Sequence, residues 1–328
     1  MTDLKQKIFN IQSEEDFMQT ALKVFRFQAA NNSVYSKYIN LLDIDVNAVD
    51  CLEKVPFLPI EFFKSHKVVS TDEEAKAVFT SSGTSGNLTS RHHVPDLSIY
   101  EDSFTKGFEA FYGPVKDYCI LALLPSYLER EGSSLIYMME KLIKDSGHPK
   151  SGFYLNNHEE LIAHLEELKA QNQKVLLLGV SFALLELAEN HWLDLGDVIV
   201  METGGMKGRR KELTREELHS IFTSRLGVKK IHSEYGMTEL LSQGYSKGDS
   251  LFETPAWMKI LIRDAYDPFS YEKIGRSGGV NVIDLANLNS CSFIETQDLG
   301  KIYADGSFEI LGRFDNSDIR GCNLLVSE

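Results

Sequence analysis

Three apolar runs of strand length limit what this chain can become: residues 118–124 (YCILALL), 174–180 (KVLLLGV) and 197–201 (DVIVM). A strand that is apolar at nearly every position is buried on both faces, which is the pattern of a parallel sheet covered by helices. Helical stretches separate the runs. Residues 133–144 form one. Residues 157–169 form another, with Leu161, Ile162, Leu165 and Leu168 on one stripe. Thr214-Arg215-Glu216-Glu217 is a capping box that opens a third, and residues 228–232 add a short strand. Strands alternating with helices define an α/β architecture.

The flanks differ in texture. Residues 1 to about 70 read as helical with a loop-rich end, and Ser13 is placed to N-cap a helix carrying Phe17, Ala21, Leu22, Val24 and Phe25. From residue 256 onward, short strand-like pieces follow one another: 258–263, 279–284, 292–296, 301–303 and 307–311. Asp305-Gly306 is a hairpin turn between the last two. The expected organisation is an α/β region over 1–255, in layered αβα subdomains with mainly parallel sheets, then a β-rich, distorted-barrel-like subdomain over 256–328.

Charge and composition exclude several classes of function. A net charge of −14 argues against a nucleic-acid backbone as partner. No apolar run approaches the roughly 20 residues of a membrane span. Met1-Thr2-Asp3-Leu4-Lys5 lacks the apolar core of a signal peptide. Cys51, Cys119, Cys291 and Cys322 are scattered, with no CxxC pair, so neither a disulfide framework nor a zinc site is indicated. The expected compartment is a reducing cytoplasm.

Four stretches carry candidate chemistry. The first is Phe79-Thr80-Ser81-Ser82-Gly83-Thr84-Ser85-Gly86. Glycine lets the backbone approach a ligand, and converging N–H and hydroxyl groups suit a phosphate chain. It is not a Walker A loop, since Asn87-Leu88 stand where Lys and Ser/Thr are required. A flexible Ser/Gly linker is the alternative. The second is Glu234-Tyr235-Gly236-Met237-Thr238-Glu239, after a strand, where open parallel sheets bind ligands. Tyr235 suits a planar base, Thr238 a phosphate and Glu239 a Mg²⁺ ion; an ordinary turn into a helix fits as well. The third is Glu202-Thr203-Gly204-Gly205-Met206, either a backbone approach to a flat ligand or a plain turn. The fourth joins Thr296-Gln297-Asp298 to the segment running from Gly312 and Arg313 to Gly321. Asp298 suits two ribose hydroxyls and Arg313 a bidentate contact, with solvated hairpin charges as the alternative.

In this order the four stretches resemble the adenylate-forming superfamily of acyl- and aryl-CoA synthetases, luciferases and nonribosomal adenylation domains. The Ser/Thr/Gly run resembles its phosphate loop, residues 235–239 its Y-G-x-T-E motif, and Thr296-Gln297-Asp298 its T-G-D motif with Gln297 in place of glycine. Residues 312–321 resemble its G-R-x-D-D-x-I-K-x-x-G hinge, with Asn316, Ser317 and Arg320 as departures. Within the superfamily, the chain is similar to the acyl-protein synthetases, LuxE and its relatives. That likeness rests on Val55-Pro56-Phe57-Leu58-Pro59 before the loop, on Leu124-Pro125-Ser126-Tyr127 before Glu131-Gly132-Ser133-Ser134, and on the short chain.

The resemblance implies an enzyme that activates a carboxylic acid, in that family a fatty acid, as an acyl-adenylate with ATP and Mg²⁺, then passes the acyl group to a thiol. It assigns Thr80, Ser81, Ser82, Gly83, Thr84, Ser85 and Gly86 to the phosphates. Thr238 falls to the α-phosphate, Glu239 to the metal, and Tyr235 and Gly236 with Gly204 and Gly205 to the adenine. Asp298 and Arg313 fall to the ribose. It also implies an acyl-carrier protein or acyl reductase as partner, and makes Cys322 the candidate acyl acceptor. A cation beside a thiol favours the thiolate, and Arg320 is close in sequence; a small buried filler is the other reading of a lone cysteine.

Departures from the pattern leave other readings open. No Lys follows the phosphate loop, and Arg91 is the nearest basic residue. The chain stops at Glu328, just past the hinge-like segment, so the small C-terminal domain with its catalytic lysine is expected to be absent, as in the acyl-protein synthetases. Lys207, Arg320 or a partner are the candidate replacements for that charge. A nucleotide-binding scaffold without turnover and a coenzyme A ligase remain as alternatives. His92 and His93 read as surface residues, His232 and Cys119 as packed ones.

Overall fold

The computed structural model describes residues 2–81, 89–124, 132–155, 157–204 and 213–314. The chain gathers into two compact units. One holds Thr71–Pro255 with Phe63–Lys67. The other holds Val68–Ser70 and the described residues up to Phe62 and from Ala256.

The sheet of the first unit is built on the apolar runs. Gly152–Phe153, Tyr118–Leu123, Lys174–Val180, Ile199–Thr203 and His232–Tyr235 lie side by side in that order, all parallel. Gly244–Ser246 and Phe252–Glu253 continue it antiparallel. Tyr118–Leu123 is buried throughout, and Lys174–Val180 is buried beyond its first residue, as strands covered on both faces must be. Helices Leu97–Tyr112, Ser134–Ser146, His158–Ala170, Ser181–Asn190 and Arg215–Leu226 alternate with the strands. Asp96, Ser133, Asn157 and Thr214 each accept a hydrogen bond from a first-turn N–H. Thr214 and Glu217 complete the expected capping box.

Two strands begin later than the hydrophobic pattern suggests. The run expected at 197–201 is Ile199–Thr203, because Leu193, Leu195 and Gly196 donate to the carbonyls of Arg225, Leu226 and Gly227, and this holds the lead-in against the end of a helix. The strand expected at 228–232 is His232–Tyr235, and Val228 makes only an isolated bridge to Gly196. Its four residues are polar or amphipathic yet all buried, so apolar patterning does not reveal it.

In the second unit, Met258–Arg263, Ser277–Asp284, Phe293–Ile302 and Phe308–Arg313 form an antiparallel meander. The pieces expected at 292–296 and 301–303 are one strand. Residues across the gap keep their partners on Ser277–Asp284, and the irregularity is absorbed as register shifts at Gly279/Asn281 and Leu299/Gly300. Asp305-Gly306 makes the expected turn, with Gly306 at φ 85° and Asp305 accepting from the Ser307 N–H. Leu58–Pro59 adds to Phe293–Ile302 as a short parallel strand. Helices Glu14–Asn31 and Ser33–Leu41 pack on the same strand. Phe25 meets Phe293 edge-on at 6.0 Å, and Tyr35 stacks on it at 6.4 Å. The Gln28 amide donates to the carbonyls of Asn287 and Leu288 and accepts from the Ser292 N–H. Ser13 caps Glu14–Asn31 as expected.

Candidate active site

The parallel sheet sets out one part of the site. Thr203 pairs with Glu234, so the carboxyl ends of Ile199–Thr203 and His232–Tyr235 finish together. Gly204 comes next on the first strand. It is exposed, sits at φ 67°, and among the described residues no atom lies within 4 Å of the point where a Cβ would be. Its carbonyl accepts from the Ser181 hydroxyl at 2.6 Å. Tyr235 ends the second strand, 9% exposed, with Phe252 edge-on at 6.1 Å. Gly236 follows with no room for a side chain: a Cβ there would lie 2.3 Å from Glu234 Oε1. Thr238 is half-buried and Glu239 is buried.

The serine- and glycine-rich run connects the strands of a β-hairpin, Ala77–Thr80 with Arg91–Val94. Its mouth is closed by Ser81 and Ser90. The Ser81 N–H donates to the Ser90 carbonyl at 3.1 Å, and the Ser90 N–H donates to the Ser81 hydroxyl at 3.0 Å. The Thr80 N–H donates to the carbonyl of Gly132, where a φ of 81° and a Cβ position only 3.0 Å from the Val78 carbonyl oxygen favour glycine. Arg91 pairs across from Thr80 and is exposed at the loop end of the hairpin. Ser82, Gly83, Thr84, Ser85, Gly86, Gly205, Lys207, Arg320 and Cys322 lie outside the described residues.

His92 corrects the sequence reading. It is fully buried, not at the surface. Its strand places it opposite Phe79, facing inward, and its Nδ1 lies 2.9 Å from the Thr238 carbonyl oxygen. Burial pushes its pKa down to about 4, with the Thr238 contact opposing. The ring is therefore neutral at ordinary pH, and because a carbonyl only accepts, Nδ1 carries the hydrogen. His232 is packed as expected: it meets the Tyr112 hydroxyl at 3.1 Å, and burial pushes its pKa down to about 4.

Behind Gly204 and Tyr235 lies a buried acidic pair. Glu202 meets the Ser181 hydroxyl at 2.7 Å, with Arg215 Nε and His219 Nε2 each at 3.6 Å. Burial alone would raise its pKa, but these neighbours and Ser233 outweigh it and hold Glu202 below the usual carboxylate range. Glu234, one strand over, accepts from the Thr203 hydroxyl. Burial pushes it up to about 7, against the Thr203 bond and with the help of the Glu202 charge. The pair thus holds one settled negative charge and one carboxyl that titrates near neutrality. In the sequence, each glutamate looks like a polar residue at a strand end.

In the second unit, Asp298 and Arg313 are cross-strand partners, with Nε to Oδ1 at 3.1 Å. Asp298 is buried, while the Arg313 side chain is 73% exposed. The Thr296 hydroxyl donates to the Val280 carbonyl and accepts from the Asp298 N–H, fixing the turn of the chain into Asp298. Gln297 donates to Glu61, beside the added strand Leu58–Pro59. Arg263, at the end of the strand Met258–Arg263, belongs to no motif visible in the sequence. It is 7% exposed and donates to the carbonyls of Val280 and Thr296 and to Asn281 Oδ1, at 3.1, 2.8 and 3.0 Å. Glu295 lies 3.5 Å away. Gly279 makes room for the guanidinium: a Cβ there would lie 2.4 Å from its central carbon.

Each unit by itself holds groups whose chemistry suits part of a nucleotide: in the first, Gly204 offers exposed backbone and Tyr235 an aromatic ring, and in the second, Asp298 with Arg313 offers an acceptor beside a donor. Among the described residues no group of three or more His, Cys, Asp or Glu forms a metal cage. Mg²⁺ needs none, because one carboxylate and substrate phosphates suffice.

The fold is that of adenylate-forming ligases. A 2-hydroxyisobutyryl-CoA ligase in complex with 2-HIB-AMP and CoA superposes with a TM-score of 0.64 at 11% identity, over 93% of this chain and 72% of that one. ATP-bound MatB from Rhodopseudomonas palustris gives 0.53 at 15% identity, over 74% of this chain and 50% of that one. The chain thus spans about half the length of the MatB structures. In sequence it is 21% identical to the long-chain-fatty-acid–luciferin-component ligase of Vibrio harveyi, over 98% of this chain and 90% of that protein. Residues 6–328 match the family acyl-protein synthetase, LuxE, and the chain belongs to that family. No described helix is long and apolar enough to cross a membrane.

Proposed function

We propose that the chain activates a fatty acid with ATP and hands the acyl group to a thiol. In the first step, a carboxylate oxygen of the acid attacks the α-phosphorus. The bond from phosphorus to the bridging oxygen breaks, pyrophosphate leaves, and an acyl-adenylate remains. In the second, a thiolate attacks the acyl carbon, the acyl–oxygen bond breaks, and AMP leaves behind a thioester.

Such a reaction needs positioning and charge neutralisation more than covalent help. Thr238 donates to the α-phosphate. Bound Mg²⁺ would neutralise phosphate charge, and Glu239 would hold it. Gly204 and Gly205 with Tyr235 and Gly236 take the adenine. Asp298 accepts from the ribose hydroxyls, and Arg313 beside it steadies the carboxylate. Residues 80–86 take the outer phosphates, with Arg91 as the nearby cation. Cys322 is the acceptor, and an acyl reductase or acyl-carrier protein the partner that draws on it.

The observation that carries this reading is the common ending of two parallel strands on open Gly204 and on the Tyr235–Glu239 turn, in a chain whose family match runs over residues 6–328. The test mixes the protein with ATP, Mg²⁺ and saturated fatty acids of increasing chain length, and measures pyrophosphate. Release with at least one acid is expected, together with an acyl adduct at Cys322 by mass spectrometry. No pyrophosphate with any acid refutes activation. Pyrophosphate without a Cys322 adduct refutes the acceptor alone.

A further inference from the structure

His92 Nδ1 reaches the backbone of the Tyr235–Glu239 turn from the hairpin that carries the serine- and glycine-rich run, 146 positions away in the chain. The strand Arg91–Val94 ends in Val94, two residues before the N-cap of Leu97–Tyr112, and that helix makes a second tie: the Ser103 and Ser242 hydroxyls share a hydrogen bond at 2.9 Å. The two links fall at Thr238 and Ser242, on either side of Glu239. The imidazole is held edge-on against Phe63 at 5.6 Å, and its Nε2 is buried without a hydrogen-bond partner among the described residues. A buried polar atom left unpaired is costly. A neutral, one-ended histidine is therefore retained where an apolar side chain would pack without that cost, and what the ring gains is the single bond to Thr238.

We propose that His92 is a positioning residue that locks the Thr238–Glu239 backbone to the phosphate-side hairpin, so that the two nucleotide-contacting segments are set as one piece. His92 touches no substrate in this scheme. It acts through the Thr238 carbonyl, whose peptide leads directly into Glu239. The assignment deepens the proposed ATP chemistry and rests on it for its functional consequence, though not for the link itself.

The test compares wild type with His92→Asn, His92→Gln and His92→Ala. An asparagine amide nitrogen falls near the position of Nδ1, and a glutamine amide nitrogen near that of Nε2, so only Asn preserves the donor to Thr238. Two readouts are taken on the full chain. Hydrogen exchange of the amides over residues 237–242 needs no ATP: protection is expected to fall in the Ala and Gln variants and to persist in Asn. In ATP-dependent pyrophosphate release, Ala and Gln raise KM for ATP by about tenfold, the size expected for a lost buried hydrogen bond, while KM for the acid stays put and Asn remains near wild type. Equal exchange in all four chains overturns the proposal. So does equal damage by Asn and Ala, which would make the ring a matter of packing alone. If the exchange pattern holds but wild type releases no pyrophosphate, the lock stands and the proposed chemistry falls.

Discussion

Replacing Glu234 by glutamine removes a titration from the centre of the first unit without changing the side chain's shape. The carboxyl is buried and pushed from its ordinary 4.5 up to about 7. A carboxyl whose folded-state pKa lies above its unfolded value holds its proton more tightly folded than unfolded between those two values. Its contribution to stability is therefore full below the unfolded value and is lost as pH rises through about 7. At about 1.4 kcal/mol per pH unit, the full loss is on the order of 3 kcal/mol. Most of it falls within a usable range: between about pH 5.5 and pH 8.5 the wild type should lose about 2 kcal/mol relative to Glu234→Gln. His92 and His232, both held near 4, act in the opposite sense on the acid side, losing stability as pH drops below their ordinary 6.5. They are common to both chains and cancel in the comparison. Guanidinium unfolding at the two pH values gives the difference directly. A gap that stays constant to within about 0.5 kcal/mol, or that closes with rising pH, would show that Glu234 is ionised in the folded protein and that the account of the acidic pair is wrong.

Arg263→Met should cost about 3–5 kcal/mol in denaturant unfolding, because it strips three acceptors of a buried donor and leaves Glu295 without its partner; a loss under about 1 kcal/mol would deny the arginine its structural role. Gly236→Ala should lower stability by about 1–3 kcal/mol in thermal melts, since the new Cβ collides with the Glu234 carboxyl, and an unchanged melt would contradict the packing there. Asp298→Ala should abolish any preference for ATP over 2′-deoxy-ATP or 3′-deoxy-ATP in pyrophosphate release, and a preference that survives removes Asp298 from the ribose. Arg313→Ala should raise KM for ATP while leaving the melting temperature almost unmoved, because an ion pair to a side chain 73% exposed adds little to stability.

What the sequence shows is what local pattern can carry. Lys174–Val180 and Tyr118–Leu123 announce themselves because burial on both faces demands apolar residues throughout. Ser13, Asn157 and Thr214 mark helix starts because an orphan N–H needs a nearby acceptor. His232–Tyr235 is displaced from the strand expected at 228–232 by the same logic: Glu234 and His232 are satisfied by Thr203 and Tyr112, which come from other elements. The motif residues are legible as motifs, yet the groups that hold them are not. Arg263 and Gln28 look like surface residues until distant carbonyls are brought to them. His92 looks like half of an exposed pair until its strand is known to face inward. The Gln297 departure from the family's glycine finds its physical account only in Glu61, which no nearby pattern supplies.

The pairing of Leu58–Pro59 with Phe293–Ile302 bears on how the molecule is made. Gln297 and Glu61, which meet beside it, are 236 positions apart, so the early segment leaves the ribosome long before its mate exists. Through that interval Phe25 and Tyr35 wait for Phe293 with their apolar faces uncovered. Late closure over so long a separation is entropically slow and invites aggregation on the way. Yield on overexpression should therefore respond to translation speed and to chaperone supply more sharply than equilibrium stability alone would suggest.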